Sequence, residues 1–346
     1  MSSIASKIMK AAADIVNPPM RSQIFTCDPF PFEDVGKFHS WRHYGVMIPD
    51  IGETDFFDIM NIIGTPGVSA FDVQPLQKNT HNRCSSLLST TGRSLASGLE
   101  VPAPRSGYCI DPTNHKATFG SGLEIIRSGD ILTIHRNLDD VSVDISMKMS
   151  KTVSVFANIP GIYKHWSTLA HCSGMVQYGD EQRMINTLGT VEFARGIGTG
   201  SFGISRLPDI PVSHFSYHVL NISDSEQLLM TDVALTGGIP VQQRVFYRNL
   251  GRNEKSTEII LDSNFHAEYL NLRPGPDARS SSRVPDSLHW SARDRENQSS
   301  VTIDAITDRN WKIGIGTGYC GTYQFTGDFT GRQIAGQGYI EHVDLR

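Results

Sequence analysis

Long apolar runs are missing from this chain. No 18-residue stretch is apolar throughout, so no transmembrane segment is predicted. Runs of Lys or Arg are missing as well. With a formal net charge of −5, the sequence has no electrostatic footprint for a polyanion, and nucleic acid is not expected as a partner. Cysteine is scarce: Cys27, Cys84, Cys109, Cys172 and Cys320 are an odd, scattered set without a Cys-x-x-Cys, which points to free thiols in a reducing compartment. A signal peptide needs an uninterrupted apolar core, and Lys7 and Lys10 interrupt it here, so a cytoplasmic location is expected. There is no G-x-S-x-G elbow, no Walker loop and no H-E-x-x-H.

Turn formers are abundant: 31 Gly and 17 Pro accompany 39% hydrophobic residues, the composition of a turn-rich, mainly β protein. At 346 residues the chain exceeds one ordinary core, and two domains are predicted. The C-terminal stretch Trp311–Asp344 reads as three short strands separated by Gly-rich turns. A weaker copy lies mid-chain. Cys172 precedes Glu192 by 20 residues and Cys320 precedes Glu341 by 21, with Gly-x-x-Glu in both final strands, so one β unit is expected to be used twice. Val141–Met149 alternates strictly between apolar and polar residues, as a strand with one wet face does. Residues 3–16 have the apolar stripe of an amphipathic helix that ends at Pro18-Pro19. Its expected role is to cover an edge or barrel end, with membrane-surface contact or homodimerisation as lesser alternatives. Thr54–Ile63 suggests a short helix stopped by Gly64. Gly196–Pro211 is the expected crossover between halves, and the Pro- and Ser-rich Arg273–Ser287 a mobile loop. The resulting division is a helix (1–19) and two antiparallel β domains, 20–205 and 206–346, each a barrel or sandwich.

Chemistry-bearing residues are sparse. Gly198-Thr-Gly200-Ser-Phe-Gly203 matches G-x-G-x-x-G as a string, but Pro208 and Pro211 follow where a dinucleotide site needs a helix. His214 and His218 share a strand face without an adjacent third ligand. Two half-exposed strand histidines are expected there, and no metal site. Glu192 and Glu341 hold matching places in the repeat. His43 and Tyr44, beside Trp41, pair a proton-transfer group with a phenol donor. Glu192, His43 and Tyr44 are the candidate catalytic residues; Trp166, Tyr217, Tyr108 and Trp41 are candidate pocket-lining aromatics.

Four segments, HYGVMIPD (His43–Asp50), IIGTPG (Ile62–Gly67), CSG…GTVEFARG (Cys172–Gly196) and GQGYIEHVD (Gly336–Asp344), resemble an uncharacterised family of mostly bacterial proteins. That family is more distantly similar to the hydroxyneurosporene-synthase (carotenoid hydratase) and AttH-like superfamily, which includes fungal [4+2] cyclases. The resemblance implies two lipocalin-like β domains with an apolar pocket in or between them. It also implies metal-free, cofactor-free cyclisation, isomerisation or hydration of a hydrophobic terpenoid or polyketide-like substrate. The chain departs from the hydratase branch at Phe193-Ala-Arg195-Gly196, where that branch carries a His/Asn-Trp-Gly-like cluster; this argues against carotenoid hydration itself. A barrel with an apolar cavity also suits a non-catalytic carrier of lipophilic molecules.

Overall fold

The structure is a computed structural model and describes residues 28, 30–36, 41–64, 85–100, 107–138, 141–197, 212–251, 257–277 and 281–346. The expected N-terminal helix, the 205/206 boundary and the Gly198–Gly203 string lie outside these residues. Among the described residues there are strands and no helix, and no helix long and apolar enough to cross a membrane.

Eleven strands form the first sheet. They are β1 (Trp41–Ile48), β2 (Phe57–Gly64), β3 (Ser85–Thr91), β4 (Leu95–Glu100), β5 (Tyr108–Asp111), β6 (Lys116–Phe119), β7 (Leu123–Ser128), β8 (Ile131–Leu138), β9 (Val141–Ile159), β10 (Tyr163–Tyr178) and β11 (Glu181–Gly196). Their order is β4-β3-β2-β1-β11-β10-β9-β8-β7-β6-β5, curled into a half-barrel. The second sheet is a nearly closed barrel built from β12 (Val212–Asn221), β13 (Glu226–Leu235), β14 (Ile239–Asn249), β15 (Thr257–Leu261), β16 (Ser263–Leu270), β19 (Ser287–Arg293), β20 (Ser300–Thr307), β21 (Lys312–Ile313), β22 (Tyr319–Phe329) and β23 (Arg332–Asp344). Its order is β15-β14-β13-β12-β23-β22-β20-β19-β16, with β21 on β22. The remaining pair, β17 (Arg273–Pro274) with β18 (Arg283–Val284), falls inside the segment expected to be a loop, which Arg273 also ties to Asp286 at 2.8 Å.

In both sheets the first strand pairs with the last, β1 with β11 and β12 with β23, and the last belongs to a long hairpin. The β unit is therefore used twice, although its cysteines are not equivalent. Ser167 stands opposite Glu192, and Cys320 stands opposite Glu341. Cys172 pairs with Thr187 and faces the first core. Because side chains alternate along a strand, offsets of 20 and 21 place the two cysteines on opposite faces. Cys109, Cys172 and Cys320 are unpaired.

Thr54–Ile63 is not a helix: from Phe57 it runs as β2. The strand is buried on both faces, with Phe57, Ile59 and Ile63 in the first core and Met60 against the second sheet. Burial on both sides erases the polar alternation that marks a strand. The same applies to β1, where Tyr44, Val46 and Ile48 point into the first core while His43, Gly45 and Met47 point away from it.

These outward faces meet the second sheet in a third apolar layer, made of Met47, Phe56, Met60 and Phe156 from one side and Tyr217, Val219, Leu229, Phe246, Cys320 and Tyr339 from the other. Polar links cross it. Gln337 Nε2 donates to the Pro49 and Asp55 carbonyls, both at 2.8 Å, and Asn221 Nδ2 donates to Leu188 O at 2.9 Å. Leaving a buried carbonyl unpaired costs about 1–3 kcal/mol. Gln337→Leu, which strands the Pro49 carbonyl and takes one of two donors from that of Asp55, is expected to lower unfolding stability by about 1–3 kcal/mol in urea titrations. The wild type should unfold in one transition; two separated transitions would show that the shared layer does not couple the sheets.

Candidate active site

Besides its apolar side chains and polar links, the layer between the sheets carries a line of titratable groups. It is supplied by the outward faces of β1, β2, β10 and β11 and by β12, β14, β22 and β23. Glu192 lies near its centre, 4% exposed. Its Oε1 is 2.6 Å from His165 Nε2 and 3.3 Å from His43 Nε2, and Oε2 has no hydrogen-bond partner. Tyr163 Oη lies 2.8 Å from His165 Nδ1, which extends the series to Tyr163–His165–Glu192. The register explains the geometry: on β11, Glu192 is flanked by Gly45 of β1 and Ser167 of β10, with His43 and His165 one pair along on the same face. Gly45 is required there, because a Cβ would lie 2.9 Å from His43 Nε2 and 3.1 Å from Glu192 Cβ. Of the two histidines His165 lies nearer solvent, with 17% of its side chain exposed against 8% for His43.

Burial pushes the Glu192 carboxyl toward its neutral form. The charge and hydrogen bonds of His165 and His43 outweigh this and hold its pKa below the usual carboxylate range. Nearby, the Arg248 guanidinium on β14 crosses the layer to Ser167 Oγ at 2.8 Å and Thr190 Oγ1 at 2.7 Å, and also contacts Gln227. Phe156 packs edge-on to His165, Tyr217 and Phe246.

The second sheet contributes the opposite kind of carboxyl. Burial, then the charges of Glu192 and Asp58, raise the Glu341 pKa well above its ordinary value. Asp58, fully buried on β2, is pushed up to about 7 by burial, against the hydrogen bonds of Tyr339, Cys320 and Thr90. Tyr339 Oη lies 2.8 Å from Asp58 Oδ2 and 3.1 Å from Glu341 Oε1. A phenol has one proton to give, so a neutral Glu341 donates to Tyr339 while Tyr339 donates to Asp58. Tyr217, paired with Glu341 across β12 and β23, has a buried hydroxyl without a partner. Burial and the charge of Glu192 keep it protonated. The layer therefore places an ionised carboxylate near neutral carboxylic acid and phenol donors, an acid–base division set by environment alone.

Of the residues singled out in the sequence, Glu192, His43 and Tyr217 come together here. Trp41 closes one end, on the same face as His43, its ring 5.6 Å from Tyr163. Tyr44 and Trp166 do not belong to the site. Each neighbours a site residue in sequence, and strand alternation turns it into the first core. There Tyr44 bonds the Glu33 backbone and Trp166 packs on Phe193. Tyr108 sits on β5 at the margin of that core, 3.4 Å from Asp34. His165, Tyr163, Asp58 and Tyr339 were not anticipated. For His165 a signal existed: counting outward from the two-residue turn at Gly179-Asp180 sets Ser167 opposite Glu192 and His165 on its diagonal.

The two kinds of carboxyl act on stability with opposite sign. Glu192, with a depressed pKa, stabilises the fold above about pH 4.3, and its contribution is lost as pH falls below that value. Asp58, with a raised pKa, favours the fold while protonated, and that contribution is lost as pH rises from about 4 through its folded value of about 7. Asp58→Asn is therefore expected to gain stability relative to wild type, by a few kcal/mol, between about pH 5 and about pH 8 in paired urea titrations. An unchanged difference would mean that Asp58 does not titrate in this window.

The fold has solved counterparts. An AttH-like protein of Nitrosomonas europaea superposes with a TM-score of 0.56 at 11% identity, over 88% of this chain and 91% of its own. Kievitone hydratase of Nectria haematococca gives a TM-score of 0.54 at 13% identity, over 96% and 94%. At these identities the likeness is one of fold. No curated protein matches in sequence. A family model does match, over residues 60–346, and by it this chain belongs to the family of unknown function DUF6670.

Proposed function

We propose that the chain is a cofactor-independent enzyme that promotes cyclisation, isomerisation or hydration of a hydrophobic, terpenoid or polyketide-like small molecule by proton transfer in the layer between its two sheets. The observation that carries this reading is the pair Glu192 and Glu341. They occupy matching positions in the repeated unit, share one buried layer, and have pKa values displaced in opposite directions. An interior that served stability alone can often replace buried carboxyls with apolar side chains at no loss.

In this reading Glu341 is the general acid, supported by Tyr339, and Glu192 the general base. His165 and Tyr163 orient Glu192, and His165 forms the route by which its proton exchanges with solvent. In an isomerisation, Glu341 gives its proton to one carbon of an alkene or enone while Glu192 removes one from another. In a hydration, the water oxygen bonds to the carbon next to the protonated one and the water proton passes to Glu192. In a cyclisation, Phe156, Phe246 and Tyr217 hold a folded conformer while hydroxyl donors polarise a carbonyl.

Native mass spectrometry of the chain purified from its host is the first test, followed by incubation with whatever lipophile is retained. Turnover is expected in the wild type. Glu192→Gln and Glu341→Gln should each lower kcat by about 100- to 10,000-fold while leaving affinity close to wild type. A ligand that returns unchanged from wild type and both variants, bound equally by all three, overturns the enzyme reading in favour of a carrier.

A further inference from the structure

The two histidines of β12 behave differently from one another. His214 and His218 were expected to be half-exposed strand residues, yet both are fully buried inside the second barrel. His218 uses both ring nitrogens, with Nε2 at 2.8 Å from Ser216 Oγ and Nδ1 at 3.1 Å from Tyr323 Oη. His214 uses only Nε2, 3.1 Å from Asp232 Oδ2, and its Nδ1 has no partner. β23 pairs with β12 so that His214 stands opposite Asp344 and Ser216 opposite His342. His342 Nδ1 lies 3.2 Å from Ser216 Oγ, and its Nε2 has no partner. Asp344 Oδ1 accepts from Arg346 Nε at 3.0 Å, and Oδ2 accepts no hydrogen bond. His214, His342 and Asp344 are 0%, 0% and 1% exposed, and one ligand-type atom from each lies within 4.8 Å of the other two.

The surrounding hydrogen bonds allow one assignment of the protons that satisfies them all. If His214 donates Nε2–H to Asp232, its Nδ1 carries a lone pair. If His342 donates Nδ1–H to Ser216, Ser216 donates to His218 Nε2, and His218 Nδ1–H is satisfied by Tyr323; His342 Nε2 is then also a lone pair. Asp232 is in turn held by Gln243 Nε2 at 3.1 Å and Tyr269 Oη at 3.3 Å. In this assignment two imidazole lone pairs and a carboxylate oxygen are buried close together, with no donor among them. Acceptors in that arrangement repel one another, and each is a buried polar atom without compensation.

We propose that His214, His342 and Asp344 form a binding site for one divalent transition-metal ion of the zinc class. Two nitrogen donors with one carboxylate select such an ion over Mg2+ or Ca2+, which prefer oxygen throughout. The imidazole of His214 backed by Asp232, and that of His342 backed by Ser216, are the outer supports that metal-binding histidines generally have. In a tetrahedral site with bonds of about 2.0–2.2 Å, two ligand atoms lie about 3.3–3.6 Å apart, so binding draws the three side chains inward by about an ångström. Arg346 at Oδ1 and Arg283, whose Nη2 is 3.7 Å from Asp344 Oδ2, cover the carboxylate from the surface side. Both are part-exposed, so the site lies one layer below solvent and an ion enters by displacing the Arg283 side chain. Three protein ligands leave a position open for water or another small donor.

The test is titration of the chelator-stripped full chain with Zn2+ by calorimetry, and with Co2+ by visible absorption. One ion per chain is expected. His342→Gln and Asp344→Asn should weaken binding at least about tenfold, Asp232→Asn by about 10- to 100-fold, and His266→Gln, an exposed histidine outside the cluster, should leave it unchanged. Absence of one-to-one binding by the wild type, or binding as tight in His342→Gln and Asp344→Asn, overturns the proposal. If a variant does not fold, nitrogen-15 histidine spectra of the wild type decide. Zn2+ should shift the His214 and His342 rings directly, and shifts confined to other histidines would place the ion elsewhere.

Discussion

A carboxylate buried between two sheets organises much of this molecule. Glu192 is ionised in a place where water cannot reach most of it, and the penalty for that is several kcal/mol unless partners are close and well oriented. The surrounding backbone is arranged to supply them. A glycine opposite Glu192 on β1 gives His43 room, and Ser167 on the other side leaves space for Arg248 to cross between the sheets. The histidines sit on neighbouring strands at the diagonal distance that side chains of their length span. Removing any of these would leave a charge without compensation, so the local register and the contact between the sheets depend on each other.

The same layer shows how one architecture used twice can produce unlike chemistry. Glu192 and Glu341 both follow Gly-x-x in the final strand of their unit, yet the first faces two imidazoles and the second faces a tyrosine, a cysteine and another carboxyl. Imidazoles favour the ionised form; apolar burial beside like charge favours the neutral form. Neither carboxyl needs a special sequence to acquire its role, since the neighbours across the sheet decide it. The interior of the second barrel has a separate polar cluster around His214, His218 and His342 on the opposite face of the same strands. Strand alternation keeps the two clusters apart although they share β12 and β23.

What could be read directly from the residues were features with local causes. The strict alternation of Val141–Met149 survives because one face of β9 is wet there, and the hairpin turns survive because glycine is needed at positive φ, as at Gly179 (φ 57°) and Gly331 (φ 83°). The repeated hairpin and the matching places of Glu192 and Glu341 were visible for the same reason: spacing from a turn determines register. β2 was not legible as a strand because both its faces are covered, and a continuous apolar run looks the same in a buried strand and a buried helix. Tyr44, a phenol donor beside His43, and Trp166, an aromatic suited to a pocket wall, looked like site residues by type. Each is adjacent in its strand to a residue of the layer and so takes the opposite face.

By itself, then, the sequence determined an antiparallel, turn-rich β architecture and the pairing of strands within each hairpin, because these follow from side-chain period and turn chemistry over a few residues. The contact of the two sheets was decided only by tertiary structure. That contact puts Tyr339 and Glu341 beside Asp58, across as many as 283 positions of sequence (Asp58 to Glu341), and within reach of the Glu192 charge, and it thereby sets which carboxyl is ionised. Protonation depends on burial and on charges a few ångströms away, and those distances exist only once the layers have packed.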